Sequence, residues 1–215
     1  MNARCISLLL FGLSSFQALA AGPFGFGYGM TKEQVIKLVG KDRVKTSKDD
    51  DDTLVLTTAP KPHPGFGAYF LTFSPEHGLV KIYASGNDID TNRYGDTVRS
   101  TFAETEKALT ATYGAPSEEF DFLRSGSAWN GPEDWMTGLQ KEERTLSSYW
   151  KPDPSRCLVA DPLVCQPALN SNHIVVISLH ARASSDEIGY LSLAYEFEGY
   201  EAYSDAKKAK ADKVF

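Results

Sequence analysis

The chain contains few of the residues from which catalytic sites are usually built. Its 215 residues include three cysteines and four histidines. The patterns Gly-x-Ser-x-Gly and His-Glu-x-x-His, typical of α/β-hydrolases and zinc proteases, do not occur. A Ser-x-x-Lys match at 204–207 lies in a charged tail, where no pocket is expected. We therefore expect a protein that is not an enzyme and that needs no cofactor.

The histidines are also poorly spaced for a shared metal ion. His63 and His77 lie in stretches that read as turns. His173 and His180 are seven residues apart, and an odd separation places two side chains on opposite faces of a continuous strand. The sequence therefore predicts no metal site.

Positive charge is scarce as well. Lysine and arginine total 22 against 28 aspartates and glutamates, which gives a formal net charge of −6. Affinity for nucleic acid comes mainly from neutralising phosphates with basic side chains, and adhesion to anionic membranes has the same requirement. We expect neither kind of partner.

One long apolar run is present, and it lies at the start of the chain. Arg4 precedes an apolar stretch at 6–13, and an Ala-x-Ala cleavage site follows at 18–20. This order is typical of a signal peptide, here 1–20. The run is too short for a permanent membrane anchor, and Cys5 lies too early to be lipidated at the cleavage point. The sequence predicts a periplasmic or secreted bacterial protein without a stable membrane anchor.

Two cysteines remain after this segment, Cys157 and Cys165. In an oxidising compartment they should pair and close a short loop. A zinc site would need further ligands nearby, and none are close in the sequence. A redox pair usually has the spacing Cys-x-x-Cys, which differs from this one. We predict a structural disulfide.

The clearest helix follows Thr31. Thr31 suits the N-cap position, and Gln34 can complete a capping box with it. Gly40 suits a left-handed C-cap. An apolar stripe for packing is predicted at Val35, Leu38 and Val39, helped by Ile36.

A helix followed by three strands occurs twice in the chain. The first unit spans 21–86, with strands at 53–58, 68–73 and 79–84. The second spans 87–198, with a helix from Asp96 to Gly114 and strands at 144–150, 172–181 and 189–197. We predict an α+β fold of two tandem helix-plus-three-stranded antiparallel units, which can join into one continuous sheet.

Three segments fall outside this repeat. Residues 120–143 are predicted as an insertion rich in Gly, Trp and acidic residues, and 152–171 as the loop held by the disulfide. Residues 199–215 are predicted as a C-terminal helix or tail.

The sequence Gly-Met-Thr-Lys-Glu-Gln-Val-Ile-Lys-Leu-Val-Gly at 29–40 resembles the first helix of the SmpA/OmlA family of small outer-membrane lipoproteins. It is also similar to the tandem repeats of β-lactamase inhibitor protein. In both, a Gly-Met-Thr/Ser start and a terminal glycine frame a helix that precedes a three-stranded antiparallel sheet. The resemblance implies an exported bacterial protein with tandem α-βββ units. Unlike the lipoproteins, this chain has no lipidated cysteine.

The positive functional signal is aromatic. Trp129, Trp135, Tyr149 and Trp150 lie in or beside the predicted insertion. Such side chains anchor protein interfaces because they bury a large area with few torsions, although they also close cores. We predict a non-enzymatic protein-interaction module whose partner is another envelope protein and whose contacts involve these four residues.

Two other functions stay open. The resemblance implies that the protein could inhibit an exported enzyme. Alternatively, a small envelope hydrolase or ligand-binding protein could use acidic side chains of the 118–143 region, because paired carboxylates in a cleft support acid–base chemistry. These side chains are Glu118, Glu119, Asp121, Glu133, Asp134, Glu142 and Glu143.

Overall fold

The computed structural model describes residues 22–152, 169 and 172–212. The predicted signal segment at 1–20 and the predicted Cys157–Cys165 disulfide lie outside the described residues. Among the helices in the described ranges, none is both long enough and sufficiently apolar to span a bilayer.

Within these ranges the chain forms α-helices, short 3-10 helices and one β-sheet. The α-helices are α1 (Lys32–Val39), α2 (Asp96–Tyr113), α3 (Trp135–Gln140) and α4 (Tyr200–Asp212). The 3-10 helices span Pro23–Gly25, Lys41–Arg43 and Pro132–Asp134. The strands are β1 (Val44–Thr46), β2 (Thr53–Leu56), β3 (Phe66–Ser74), β4 (Gly78–Gly86), β5 (Ile89–Asp90), β6 (Glu118–Leu123), β7 (Arg144–Trp150), β8 (Ile174–Ala183) and β9 (Ile188–Phe197).

The strands form one antiparallel sheet in the order β1-β2-β3-β4-β9-β8-β7-β6, and the short β5 pairs with β9. Strands β1 to β4 make one meander, and β6 to β9 make another. The meanders meet where β4 pairs with β9, from Lys81↔Glu196 to Ser85↔Ser192. The predicted α+β class is confirmed, and the two units share one continuous sheet.

Each unit contributes four strands to its meander, where the sequence predicted three. The additional strands are the outermost ones, β1 and β6. The predicted insertion is therefore wrong over 120–123, which belong to β6, and α3 gives helical structure to 135–140. No residue of either edge strand is buried, so neither strand contributes a buried face to the core.

The core lies between one face of the sheet, called the core face, and a layer that contains 22–30, α1, α2 and α3. Leu71, Ile82 and Leu179 are fully buried on this face. Gly189 of β9 allows a close approach, because a Cβ atom there would lie 2.4 Å from Cγ2 of Val98 in α2. A larger residue at this point would push α2 away from the sheet.

Helix α1 begins as its sequence predicts. Gln34 N donates to Thr31 Oγ1 at 3.3 Å and Thr31 N donates to Gln34 Oε1 at 2.9 Å, which confirms the capping box. Val35 is fully buried, whereas Leu38 is 50% exposed. The predicted stripe is thus wrong at Leu38, because the short helix presents only a narrow face to the core.

The opposite face of the sheet, called the open face, includes Phe70 and Tyr83. Helix α4 lies at one end of this face and is held there by polar contacts. Lys81 Nζ donates to Tyr200 OH and to Glu196 Oε1, each at 2.9 Å. No residue of α4 is buried, so the helix attaches without an apolar stripe.

Further polar contacts join α4 to the β1–β2 turn. Tyr203 OH donates to Asp52 Oδ2 at 3.0 Å, and Lys207 donates to Asp50. Asp50 also accepts from Asp52 N and Thr53 Oγ1 at 2.9 Å each. The acidic turn is therefore ordered by its own hydrogen bonds and by a lysine of α4.

Trp150 supplies a test of the core. Its side chain is 1% exposed, and its Nε1 donates to Gly114 O at 2.9 Å. Trp150→Phe removes this hydrogen bond and part of the ring, so we expect the free energy of unfolding to fall by about 1–3 kcal/mol in urea titrations. Trp129→Phe is the control, since Trp129 is 36% exposed. Equal losses for the two variants would contradict this assignment.

Candidate protein interface

The structure separates the four aromatic residues predicted to bind a partner. Trp135 is 6% exposed and Trp150 is 1% exposed, so both are core residues and present almost no surface to a partner. Their assignment as contact residues is therefore corrected, because large rings close the core here. Trp129 is 36% exposed, and Tyr149 is half-buried. Tyr149 and Trp150 are neighbours on β7 and point to opposite faces of the sheet.

Tyr149 belongs to a different group of rings on the open face, which we call the aromatic cluster: Phe120, Phe122, Tyr149 and His180. The ring centroids of Phe120 and Phe122 are 6.4 Å apart, and those of Phe120 and Tyr149 are 5.8 Å apart. Tyr149 meets His180 edge-on at 5.3 Å. Phe120 and Phe122 are 39% and 51% exposed.

The prediction of 120–143 as an insertion gives the two phenylalanines no role. The signal was present in Glu118-Glu119-Phe120-Asp121-Phe122-Leu123. Its aromatic and acidic residues alternate with the period of a strand. In the structure, β6 pairs with β7 in the register Phe120↔Ser147 and Asp121↔Leu146.

A second pair of rings lies on the open face of the first unit. Phe70 and Tyr83 are register partners on β3 and β4, and their centroids are 5.7 Å apart. The register runs from Tyr149 through Ser178 and Ala194 to Tyr83. Three strand-to-strand steps place Tyr149 and Tyr83 about 14 Å apart. The small residues Ser178 and Ala194 therefore separate two aromatic walls, one from each unit.

His180, a member of the aromatic cluster, carries no charge near neutral pH. Burial, and secondarily the positive charge of Arg182, lower the pKa of His180 to about 4. Its register neighbour Ser147 is 1% exposed, and the Oγ of Ser147 has no hydrogen-bond partner among the described residues. The centre of the aromatic cluster is thus neutral and poorly hydrated.

The acidic residues proposed for a hydrolase are distributed over several places, and only Glu119 and Asp121 share a cleft. Glu118 binds Lys151 with an oxygen–nitrogen distance of 2.9 Å, and Asp134 lies 3.7 Å from Arg93. Glu119 and Asp121 line a cleft of about 350 Å³ on the core-face side, between α2 and β6–β7. Within the described ranges, no three His, Cys, Asp or Glu side chains are placed to hold a metal ion.

A larger cavity of about 510 Å³ lies beneath α4 and beside the β3–β4 turn. Its lining residues carry both signs of charge and include Asp52, His77, Tyr203, Lys207 and Lys210. Lys207 already contacts Asp50, and Tyr203 already contacts Asp52. The polar groups of this cavity therefore mainly form the contacts that hold α4 against the sheet.

His180 makes the stability of the fold depend on pH. Its folded pKa of about 4 lies below the ordinary value of 6.5, so at intermediate pH the unfolded chain binds a proton that the folded chain does not. The stabilisation is fully present above pH 6.5 and is lost as the pH falls towards 4.

Between pH 7 and pH 4.5 we expect His180→Gln to lose less unfolding free energy than the wild type. The difference should be on the order of 1 kcal/mol, because the ring is still partly solvated. Arg182→Gln should also flatten the dependence, since it removes the nearby cation. Urea titrations across this pH range measure both effects. Identical slopes for wild type and His180→Gln would refute the assignment.

Comparisons with protein-family models, with curated proteins and with solved structures found no match to this chain. The resemblance of 29–40 to the SmpA/OmlA and β-lactamase inhibitor protein families therefore stays a prediction.

Proposed function

We propose that the protein is a non-enzymatic interaction module of the bacterial envelope that binds another exported protein through the open face of its sheet. The observation that carries this proposal is the set of solvent-accessible rings on the face opposite α1, α2 and α3. The rings are Phe70, Tyr83, Phe120, Phe122 and Tyr149.

Apolar rings on a sheet face are usually covered by a second layer of secondary structure. Phe122 is 51% exposed here, and exposed aromatic residues of this kind mark interaction surfaces. Aromatic side chains are also frequent among the residues that contribute most to binding energy at interfaces. The residue composition of the open face is therefore typical of a surface that a partner covers.

The geometry favours a protein partner over a small ligand. The aromatic walls at Tyr83 and Tyr149 stand about 14 Å apart across four strands. A helix has a diameter of about 10–12 Å with its side chains, so a helix or a pair of strands would bridge the walls and cover Ser178 and Ala194. A small molecule would reach only one wall.

The cellular location belongs to the same proposal. It is supported by the predicted signal segment at 1–20, with its short apolar run and its Ala-x-Ala site. An exported partner is consistent with that location.

Site-directed photo-crosslinking tests the proposal in cells that export the full chain. A photoreactive phenylalanine analogue is placed at Phe70 or Tyr83 on the open face, and at Leu38 as the control. Leu38 is also apolar and 50% exposed, but it lies on α1, on the other side of the molecule. We expect discrete protein adducts from the open-face positions and none from Leu38.

In the same cells, Tyr149→Ser should lower the adduct yield at Tyr83 about tenfold, because it removes one aromatic wall of the interface. Thermal unfolding of the purified variant shows whether the fold is intact. If adducts form equally at Leu38, or do not form at the open face, the proposal fails. When the captured partner is an enzyme, its turnover with added protein separates inhibition from simple binding.

A further inference from the structure

The two edges of the sheet are built differently. Strand β1 at one edge has three residues, Val44, Lys45 and Thr46. A short edge strand with a lysine resists pairing with another chain. Strand β6 at the other edge has six residues, pairs with β7 along its whole length, and has no strand on its outer side among the described residues. Within the described ranges, the β1 edge is therefore protected against strand pairing and the β6 edge is not.

The side chains of β6 present different chemistry to its two sides. Phe120 and Phe122 lie on the open face, next to Tyr149. Glu119 and Asp121 lie on the core-face side, where they line the cleft beside α2. Glu118 to Phe122 are all exposed. A strand added outside β6 would meet Phe120 and Phe122 on one side, beside a Glu118 carboxylate that Lys151 already pairs. On the other side it would meet the carboxylates of Glu119 and Asp121.

The carboxylates of β6 are only partly neutralised by the protein itself. Asp121 lies 3.4 Å from Arg144 and remains 55% exposed. Glu119 has no ion pair among the described residues, and the nearby Glu106 accepts a hydrogen bond from Ser148. Negative charge on this side of the edge therefore favours basic residues in an incoming strand.

The same charges act against a second copy of this chain. In an antiparallel β6–β6 pair, one register places Phe120 opposite Phe120, and it also sets Asp121 opposite Glu119 of the other copy. The register that places Phe120 opposite Phe122 sets Asp121 opposite Asp121. Like charges directly opposite each other destabilise a strand pair, so the two registers that place Phe120 against a phenylalanine of a second copy are disfavoured.

We propose that β6 binds an extended segment of the partner protein by strand addition, and that this segment alternates basic and apolar residues. Backbone hydrogen bonds of β6 bind the segment, its apolar side chains contact Phe120 and Phe122, and its lysines or arginines face Glu119 and Asp121. This inference rests on the proposed function, because β6 borders the open face, and it specifies the chemistry of the partner.

The test uses purified full-length protein labelled with ¹⁵N and three synthetic heptapeptides. The first alternates valine with lysine, the second alternates valine with glutamate, and the third has the composition of the first with its lysines grouped together. We expect the Val–Lys peptide alone to shift the amide signals of 118–123. We also expect its affinity to fall at high salt, because exposed charges are screened.

Variants of β6 test the separate contributions of its carboxylates and its aromatic rings. Glu119→Gln combined with Asp121→Asn should weaken Val–Lys binding about tenfold, whereas Glu76→Gln, on the exposed β3–β4 turn, should leave it unchanged. Phe122→Lys should abolish binding, because a lysine on an edge strand blocks pairing. These positions are exposed, so the melting temperature of each variant should stay close to that of the wild type.

Three results would overturn the inference: equal binding of the Val–Glu peptide, amide shifts that centre on residues outside 118–123, or self-association that Phe122→Lys abolishes. Its failure is distinguishable from failure of the proposed function. Open-face crosslinks without peptide binding reject only strand addition, whereas peptide binding without crosslinks at Phe70 and Tyr83 rejects only the broader interface.

Discussion

The pairing of β4 with β9 is the contact on which the rest of the structure depends. It joins two four-stranded meanders edge to edge, and buried side chains such as Ile82 and Tyr195 become register partners across the junction. The ring of Phe24 contacts both units beside this junction. Its centroid lies 5.0 Å from the ring centroid of Tyr69 in the first unit and 5.9 Å from that of Tyr195 in the second. Without this junction, β4 and β9 would each be an unpaired edge strand.

The β4–β9 junction also places the aromatic residues of both units on one open face. The Phe70–Tyr83 pair belongs to the first unit and the aromatic cluster belongs to the second, so neither unit alone has both walls. Their separation follows from the register through Ser178 and Ala194. A shift of one residue at β4–β9 would move every side chain of one meander to the other face. The proposed interface therefore requires the assembled sheet.

The sequence was informative wherever an element buries one face and exposes the other. The helix predicted from Asp96 to Gly114 is α2, and Val98, Phe102 and Leu109 form its buried stripe. The capping box of α1 follows from Thr31 and Gln34. The edge strands could not be predicted in this way, because they bury neither face. Residue type alone also could not separate core tryptophans from surface aromatics, since burial depends on contacts between distant strands.

The position of a residue along a strand partly determines which face of the sheet its side chain occupies. Tyr149 and Trp150 are adjacent, so one of them had to face away from the core. Which one does so is set by the pairing of Ser148 with Leu179 and of Trp150 with Ile177, and both partners are buried. That pairing is a long-range property of the sheet, and local sequence patterns do not contain it.

Helix α4 covers one end of the open face. Its contacts with the sheet and the turn are polar and mostly half-exposed, and exposed ion pairs contribute about 0–1 kcal/mol each. Releasing α4 from Lys81, Asp50 and Asp52 would therefore cost much less than unfolding the sheet beneath it. Release of α4 would uncover more of the open face, so the area of the proposed interface would depend on these few polar contacts as well as on the fold of the sheet.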